Sequence, residues 1–252
     1  MTTTSTQDNL LRFERAPFSG AYTVNVAALL LRATTPPPKV PINLWDLRRR
    51  RLVNAPPIFV ATPRALYSWI RLGVLWDRPS QVGYRERAVN FDDLIRLRLI
   101  SVFRARGFTY REILEAEQFA RQRFQIPQPF ITEPLWTSGD IFMAFSDKLV
   151  ALTKHGQLGL DLLREFLIPT YHGLSFDSSG EAAQWTPYAN VVIDPGIQFG
   201  SPCVANTRIE TEALWAFKEA GDSEESIARM YGLEIALVRD ALGWERIVSL
   251  AA

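Results

Sequence analysis

Apolar residues recur every three to four positions along much of the chain, which is the spacing of amphipathic helices. In the front half this pattern predicts helices over residues 24–31, 62–72, 92–105 and 109–124. Thr23 and Thr62 are suited to N-cap positions, and Pro63 to the first helical turn. Thr109-x-x-Glu112 forms a capping-box pattern at the start of the fourth helix.

The helix predicted over residues 92–105 combines an apolar face with a basic one. Its inward positions are predicted to be Leu94, Leu97, Ile100 (or Ser101) and Phe103. The arginines of the other face are expected to point to solvent, and they are Arg96, Arg98 and Arg104. Before this helix, residues 74–90 hold proline, glycine and arginines, a composition typical of a basic hairpin or wing.

A proline-rich insertion separates the first two helices. Residues 34–61 contain six prolines, which prevent a continuous helix and favour loop or extended structure. The insertion also carries four consecutive arginines, Arg48, Arg49, Arg50 and Arg51. This basic run is either an arm that follows a phosphate backbone or a solvated basic loop.

Beyond residue 129 the helical spacing gives way to short apolar runs. Residues 141–145 and 149–152 form two such runs, and the charged pair Asp147-Lys148 between them predicts the turn of a β-hairpin. Further strands are predicted over residues 174–176 and 183–188.

The tail returns to helical spacing. It predicts helices over residues 210–220, 223–231 and 234–247, and Asp222-x-x-Glu225 predicts a capping box for the second. In the first of these helices the inward face is predicted to be Ile209, Ala213, Phe217 and Ala220. Trp215 points roughly 160° away from that face, at ~100° per residue. It is either an interface anchor or a residue that packs against the middle hairpin of its own chain.

These elements predict an α+β fold that is mainly helical. Its predicted parts are an N-terminal winged helix-turn-helix, a small β-hairpin-rich middle segment and a C-terminal three-helix domain that is helix-turn-helix-like. The corresponding domain boundaries are 1–125, which includes the insertion at 34–61, then 126–189, and finally 190–252.

The distribution of charge also divides the chain. The 252 residues have a net charge of +1. Residues 1–125 contain 20 basic and 10 acidic side chains, whereas residues 126–252 contain 8 and 17. The basic front half predicts a polyanionic partner, and the acidic second half predicts a cationic or apolar one. The alternative interpretation is that the two halves simply attract each other.

Several classes of chemistry lack the residues that they need. Cys203 is the sole cysteine, so the chain cannot form an internal disulfide, and the spacing of His155 and His172 fits no zinc motif. The sequence contains no P-loop or dinucleotide fingerprint. It also has no apolar run of membrane-spanning length and no signal-peptide pattern. We therefore expect a cytoplasmic protein that is not an enzyme and has no metal or cofactor.

Three segments of the front half resemble a MerR-like DNA reader. They are Tyr22-Thr23-Val24 with the apolar residues after it, Leu66-x-x-Trp69-Ile70, and Phe91-Asp92-Asp93-Leu94-Ile95. The resemblance covers residues 20–125 and implies a winged helix-turn-helix whose second helix enters the major groove. About 30 residues separate the two helices, where the motif has a turn of about 3–4. Either this insertion loops out or residues 45–52 supply the reading element instead.

The resemblance and the helical spacing together predict which side chains bind DNA. Arg64, Ser68 and Arg71 lie on the polar side of the 62–72 helix and are candidates for base or phosphate contacts. Arg85 and Arg87 lie in the predicted wing, and Arg48–Arg51 would form the arm that follows the phosphates. A homodimer on a two-fold operator is the arrangement expected for such a reader.

A series of spaced motifs fills the tail. They are Ile193-Asp194-Pro195-Gly196, Phe199-Gly200-x-Pro202, Thr207-Arg208-Ile209, Ala220-Gly221-x-Ser223, Ile227-Ala228-x-x-Tyr231 and Val238-x-x-Ala241. In this order they resemble a small bacterial domain, domain of unknown function 433, over residues 190–247. Asn206 stands where that family usually has glycine, and asparagine tolerates the left-handed backbone that glycine adopts there.

This second resemblance implies a VapB-like antitoxin of a type II toxin–antitoxin system. On this hypothesis the front half binds its own operator DNA and the tail neutralises a PIN-like RNase toxin, a metal-dependent enzyme with an acidic site. Arg208 then either reaches that acidic site or braces the turn at Asp194, and Trp215 is the candidate interface anchor. The alternative is a stand-alone MerR-like transcriptional regulator whose tail serves dimerisation. A neighbouring small reading frame rich in aspartate would favour the antitoxin.

Overall fold

The computed structural model describes residues 22–34, 43–46, 51–54, 61–71, 88–105, 108–152, 170–171 and 173–252. In the front half, capping residues fix where the helices begin. The front helices are α1 (Val24–Thr34), α2 (Pro63–Arg71), α3 (Phe91–Ala105) and α4 (Tyr110–Phe124). The hydroxyls of Thr23 and Thr62 accept hydrogen bonds from amides three residues on, each at 3.2 Å. Thr109 and Glu112 form the predicted capping box.

Two short antiparallel pairs accompany these helices. Strand β1 (Tyr22–Thr23) pairs with β4 (Ala88–Val89), which ties the start of α1 to the start of α3. Within the proline-rich insertion, β2 (Asn43–Asp46) pairs with β3 (Arg51–Asn54). The rest of the predicted wing at 74–90 lies outside the described residues.

The arginines of α3 do not face solvent as predicted. Every residue from Leu94 to Phe103 is buried, so the helix has no solvent side over this length. The Arg96 guanidinium forms two hydrogen bonds with the Glu117 carboxylate of α4, at 2.8 and 2.5 Å. The Arg98 guanidinium donates to the Thr170 carbonyl and stacks 4.7 Å from the centre of the Trp185 ring. The prediction was wrong because other elements of the fold cover the second face of the helix.

The predicted hairpin at 141–152 is a single helix. After a short helix α5 (Pro134–Thr137), helix α6 spans Gly139–Leu152. Phe142, Phe145 and Ser146 are buried, and their spacing is that of one helical face. The Phe145 ring packs against the ring of Phe130 at 5.9 Å between centroids. Asp147 and Lys148 therefore continue the helix instead of forming a turn.

A four-stranded antiparallel sheet follows. Its strands are β5 (Leu174–Phe176), β6 (Ala182–Tyr188), β7 (Val191–Ile193) and β8 (Cys203–Val204), in the order β5-β6-β7-β8. Strands β5 and β6 confirm the two strands predicted over residues 174–176 and 183–188. Asn190 adopts a positive φ of 53° in the tight turn between β6 and β7.

The tail contains the three predicted helices, α7 (Thr211–Glu219), α8 (Glu224–Tyr231) and α9 (Ile235–Ala251). The N-cap of α8 is Ser223, one residue after the predicted Asp222. The buried face of α7 also differs from the prediction: Thr211 and Leu214 are buried, while Ala220 is exposed. The contact with α9 and β8 decides which side of α7 turns inward, and a single-helix pattern does not contain that information.

Two apolar cores hold the molecule together. The larger one extends from the front helices into the sheet and α9, where it includes Trp185, Val191, Ile193 and Trp244. The smaller one joins α7, α8 and α9 around residues such as Val204, Leu214 and Val238. The fold is therefore α+β and mainly helical, as predicted, and the sheet and α9 contribute to the same core as the front helices. In the described ranges, none of the helices combines the length and apolar character that crossing a membrane requires.

The buried Arg96–Glu117 pair should be costly to break. Glu117→Gln leaves a buried guanidinium without its counter-charge, so we expect the free energy of unfolding to fall by about 3–5 kcal/mol. Replacing both partners, as in Arg96→Met/Glu117→Leu, should restore most of that loss. Urea denaturation of the three proteins is the measurement. A Glu117→Gln variant as stable as the wild type would show that the pair carries no such constraint.

The carboxyl of Glu245 should make stability depend on pH. Burial raises its pKa, and its oxygen accepts a hydrogen bond from the Thr211 hydroxyl of α7. Because the folded state favours the protonated acid, stability should fall as pH rises from about 4, the unfolded pKa, through the raised folded pKa. Glu245→Gln should therefore stabilise the protein at about pH 7 and give no gain near pH 4. Urea denaturation at both pH values tests this, with exposed Glu219→Gln as control; a gain that does not depend on pH contradicts the assignment.

Candidate functional site

Helix α2 presents a polar, basic face to solvent. Arg64 and Arg71 are exposed and Ser68 is half-buried, so the three residues predicted to contact DNA lie together on this face. Tyr67 was not among the residues predicted from the sequence. It is 46% exposed and lies beside them at helical spacing. In the part of the chain that the structure describes, neither Arg64 nor Arg71 forms an ion pair. Both guanidinium groups are therefore available to an anionic ligand.

The opposite face of α2 fixes the helix in place. Leu66 and Trp69 are buried in the larger core. The Trp69 ring meets the Tyr110 ring of α4 edge to face, with 5.1 Å between centroids. The Arg104 guanidinium lies 4.6 Å from the centre of the same Tyr110 ring. The basic face is thus carried by a helix whose orientation is set by rigid aromatic contacts.

The other predicted DNA-binding residues are only partly described. Arg51 is the first residue of β3 and is paired in register with Asp46 of β2. The three arginines before it, Arg48–Arg50, lie outside the described residues, as do Arg85 and Arg87. The described residues therefore do not decide between the 62–72 helix and the 45–52 segment as the element that reads DNA.

The helical tail has the opposite charge. Residues 210–247 contain 4 basic and 9 acidic side chains, a balance that repels nucleic acid. Arg208, a candidate partner contact, is exposed just before this stretch. Trp215, the second candidate, is half-buried and packs against the smaller core. Part of its ring surface therefore serves the tail's own packing, and part is accessible.

The tail offers no arrangement suited to covalent or metal chemistry. Cys203 is buried on β8, and burial raises the pKa of its thiol to about 11, so it is a poor nucleophile at neutral pH. The described residues contain no group of three or more His, Cys, Asp or Glu side chains that could hold a metal ion. His155 and His172 lie outside those residues.

Comparison with known proteins supports part of the sequence analysis. Among solved structures, the X-ray crystal structure of Rv2018 from Mycobacterium tuberculosis matches with a TM-score of 0.61 and 19% sequence identity. The match covers 88% of this chain and 96% of that chain, so the two are similar in fold. No curated protein matches the sequence. Residues 191–244 match the family described as "Protein of unknown function (DUF433)". The predicted resemblance of the tail to that family is therefore confirmed over strands β7 and β8 and helices α7 to α9.

Proposed function

We propose that this protein is an antitoxin of a type II toxin–antitoxin system. The front half binds its own operator through a MerR-like winged helix-turn-helix, as a cytoplasmic homodimer that represses transcription. The tail neutralises a PIN-like RNase toxin encoded beside it. The observation that carries the proposal is the pairing of an exposed basic helix face in front with an acidic tail of the DUF433 type in one chain.

The geometry of α2 supports the DNA-binding part. Helices α1 and α2 pack against each other. The solvent-facing side of α2 carries two arginines, a tyrosine and a serine. Arginine makes two parallel hydrogen bonds to guanine or binds phosphate, and tyrosine and serine hydroxyls bind phosphate oxygens. The pairing of β1 with β4, which joins the start of α1 to the start of α3, is compatible with the wing that the proposal requires between α2 and α3.

The charge and exposure of the tail support the protein-binding part. An acidic surface is repelled by DNA but attracts the basic surface that an RNase needs to hold RNA. Arg208 is exposed and can reach the carboxylates of a metal-dependent nuclease site, while the accessible part of Trp215 adds apolar contact area.

Loss of the two α2 arginines should weaken binding of the full-length protein to a DNA fragment from its own promoter. For each arginine that contacts a base, we expect a loss of about 1–3 kcal/mol of binding free energy. For each arginine that contacts phosphate, we expect the binding constant to depend less steeply on salt concentration. Titration of wild type and Arg64→Ala/Arg71→Ala at several salt concentrations measures both quantities.

A matched variant controls for the change in net charge. Arg111 and Arg239 are exposed and paired with Glu115 and Glu224, at 2.6 and 2.9 Å. Arg111→Ala/Arg239→Ala removes the same charge and should leave promoter binding within about a factor of two, because these arginines lie outside the α2 face. Equal losses in both double variants, or no loss in either, would remove α2 from the DNA interface.

Arg208→Ala should impair neutralisation of the toxin. In cells that express the neighbouring gene, the wild-type chain is expected to prevent growth arrest and the variant to fail, because an exposed cation facing an acidic site is lost. Trp215→Ala should also fail, but with a lower melting temperature, since its ring packs against the smaller core. Full protection by Arg208→Ala would exclude this contact. If the wild type gives no protection while promoter binding persists, the protein is a stand-alone regulator.

A further inference from the structure

The turn between β7 and β8 holds an aromatic residue in an unfavourable backbone conformation. Gln198, Phe199 and Gly200 are consecutive and all left-handed, with φ values of 47°, 53° and 88°. Glycine adopts this region freely, but a bulky side chain does so at a cost. The Phe199 side chain is nevertheless 68% exposed. The protein therefore retains a strained residue whose ring contributes little to its own core.

Several hydrogen bonds hold this turn in one shape. The buried Tyr22 hydroxyl of β1 donates to the Gly200 carbonyl at 3.0 Å. The Gln198 side chain donates to the Arg208 carbonyl at 2.9 Å, which ties the turn to the strand connection after β8. At the start of the turn, the Gly196 amide donates to the Asp194 carboxylate at 2.8 Å. The position of Phe199 is thus fixed before any partner arrives, which lowers the entropic cost of binding.

Exposure and strain at one position indicate a binding role. Phe199 is the most exposed aromatic residue among those whose burial the structure describes, ahead of Tyr67 at 46%. An aromatic ring left in water forgoes the free energy that its burial would contribute, and left-handed strain adds a cost of its own. Strained residues cluster at ligand-binding sites, and buried aromatic anchors dominate the energetics of protein interfaces.

The charges around Phe199 identify the kind of partner. Asp194 opens the turn, where its carboxylate accepts a hydrogen bond from the Gly196 amide, and the carbonyl of Arg208 accepts one from the Gln198 side chain. Glu210 forms an isolated β-bridge with Cys203 at the start of β8, so these three charged residues lie around the turn. The helices that follow carry a net charge of −5. An exposed ring beside carboxylates is suited to a cationic surface and is repelled by nucleic acid itself.

We infer that the Phe199 turn docks on the RNA-binding surface of the partner RNase, an inference that rests on the proposed function. An RNA-binding surface offers cations for phosphates and flat apolar or aromatic groups on which bases stack. Phe199 takes the place of a base, and neighbouring carboxylates such as Asp194 and Glu210 take the place of phosphates. The antitoxin thereby blocks access of RNA to the enzyme.

Two substitutions separate docking from folding. Phe199→Ala removes the ring, and Phe199→Gly also relieves the left-handed strain, so the glycine variant should melt at the same or a higher temperature than wild type. Both variants should bind the purified product of the neighbouring toxin gene at least about tenfold more weakly than the wild-type chain. Met230→Ala removes another apolar side chain, 53% exposed on α8, and should bind like wild type.

A competition assay tests the surface itself. With the RNase metal removed by a chelator, a single-stranded RNA oligonucleotide should displace the full-length chain from the RNase. Simultaneous binding of RNA and chain would overturn the inference, as would wild-type affinity in both Phe199 variants; the proposed function would survive either result. The inference would also be overturned if both variants bound more weakly and melted at a lower temperature than the wild type. The same would hold if Phe199→Ala dissociated a dimer of this chain. If the wild-type chain does not bind the RNase, the proposed function fails together with the inference.

Discussion

Helix α3 imposes the constraint on which the rest of the structure depends, because it is buried along ten residues and still carries two arginines. A guanidinium that is buried without a hydrogen-bonding or charged partner lowers the stability of the fold by several kcal/mol. Arg96 meets this requirement through Glu117 of α4. Arg98 meets it through the Thr170 carbonyl and the Trp185 ring of the sheet, and burial lowers its pKa to about 9, so it stays charged at neutral pH. The two arginines therefore attach α3 to the front helices on one side and to the sheet on the other.

This arrangement places the two candidate surfaces on one rigid frame. The α2 face is carried by Leu66 and Trp69, which reach the same core as α3. The Phe199 turn is connected to that core through Tyr22, whose strand β1 leads directly into α1. Arg32 of α1 also donates to the Ala251 carbonyl at the end of α9, at 2.7 Å. The proposed DNA-binding and partner-binding parts therefore share one apolar core.

Local features of the sequence were sufficient to predict much of this fold. The caps at Thr23, Thr62 and Thr109 depend only on neighbouring residues, and helix positions followed from them. The mainly helical α+β class and the motifs of the tail were also recognisable, because they depend on order and spacing along the chain.

Features that depend on tertiary contacts were not predictable in this way. The burial of Arg96 and Arg98 requires knowledge of what covers α3, and the helical state of 139–152 depends on packing against α4. For the candidate site, the helical spacing of polar residues was sufficient to predict Arg64, Ser68 and Arg71. Tyr67 lies on the same helix face, so the same spacing could have predicted it. Phe199 was identified only as part of the motif Phe199-Gly200-x-Pro202, because neither its exposure nor its left-handed backbone can be read from the sequence.

The proposed function requires one chain both to recognise DNA and to inactivate an RNase. The most direct measurement is RNA cleavage by the purified product of the neighbouring gene, with and without an equimolar amount of the full-length protein. We expect the chain to abolish cleavage and Arg64→Ala/Arg71→Ala to do so equally well, because the proposed function has the basic face and the tail act on different partners. Undiminished cleavage in the presence of the wild-type chain would contradict it.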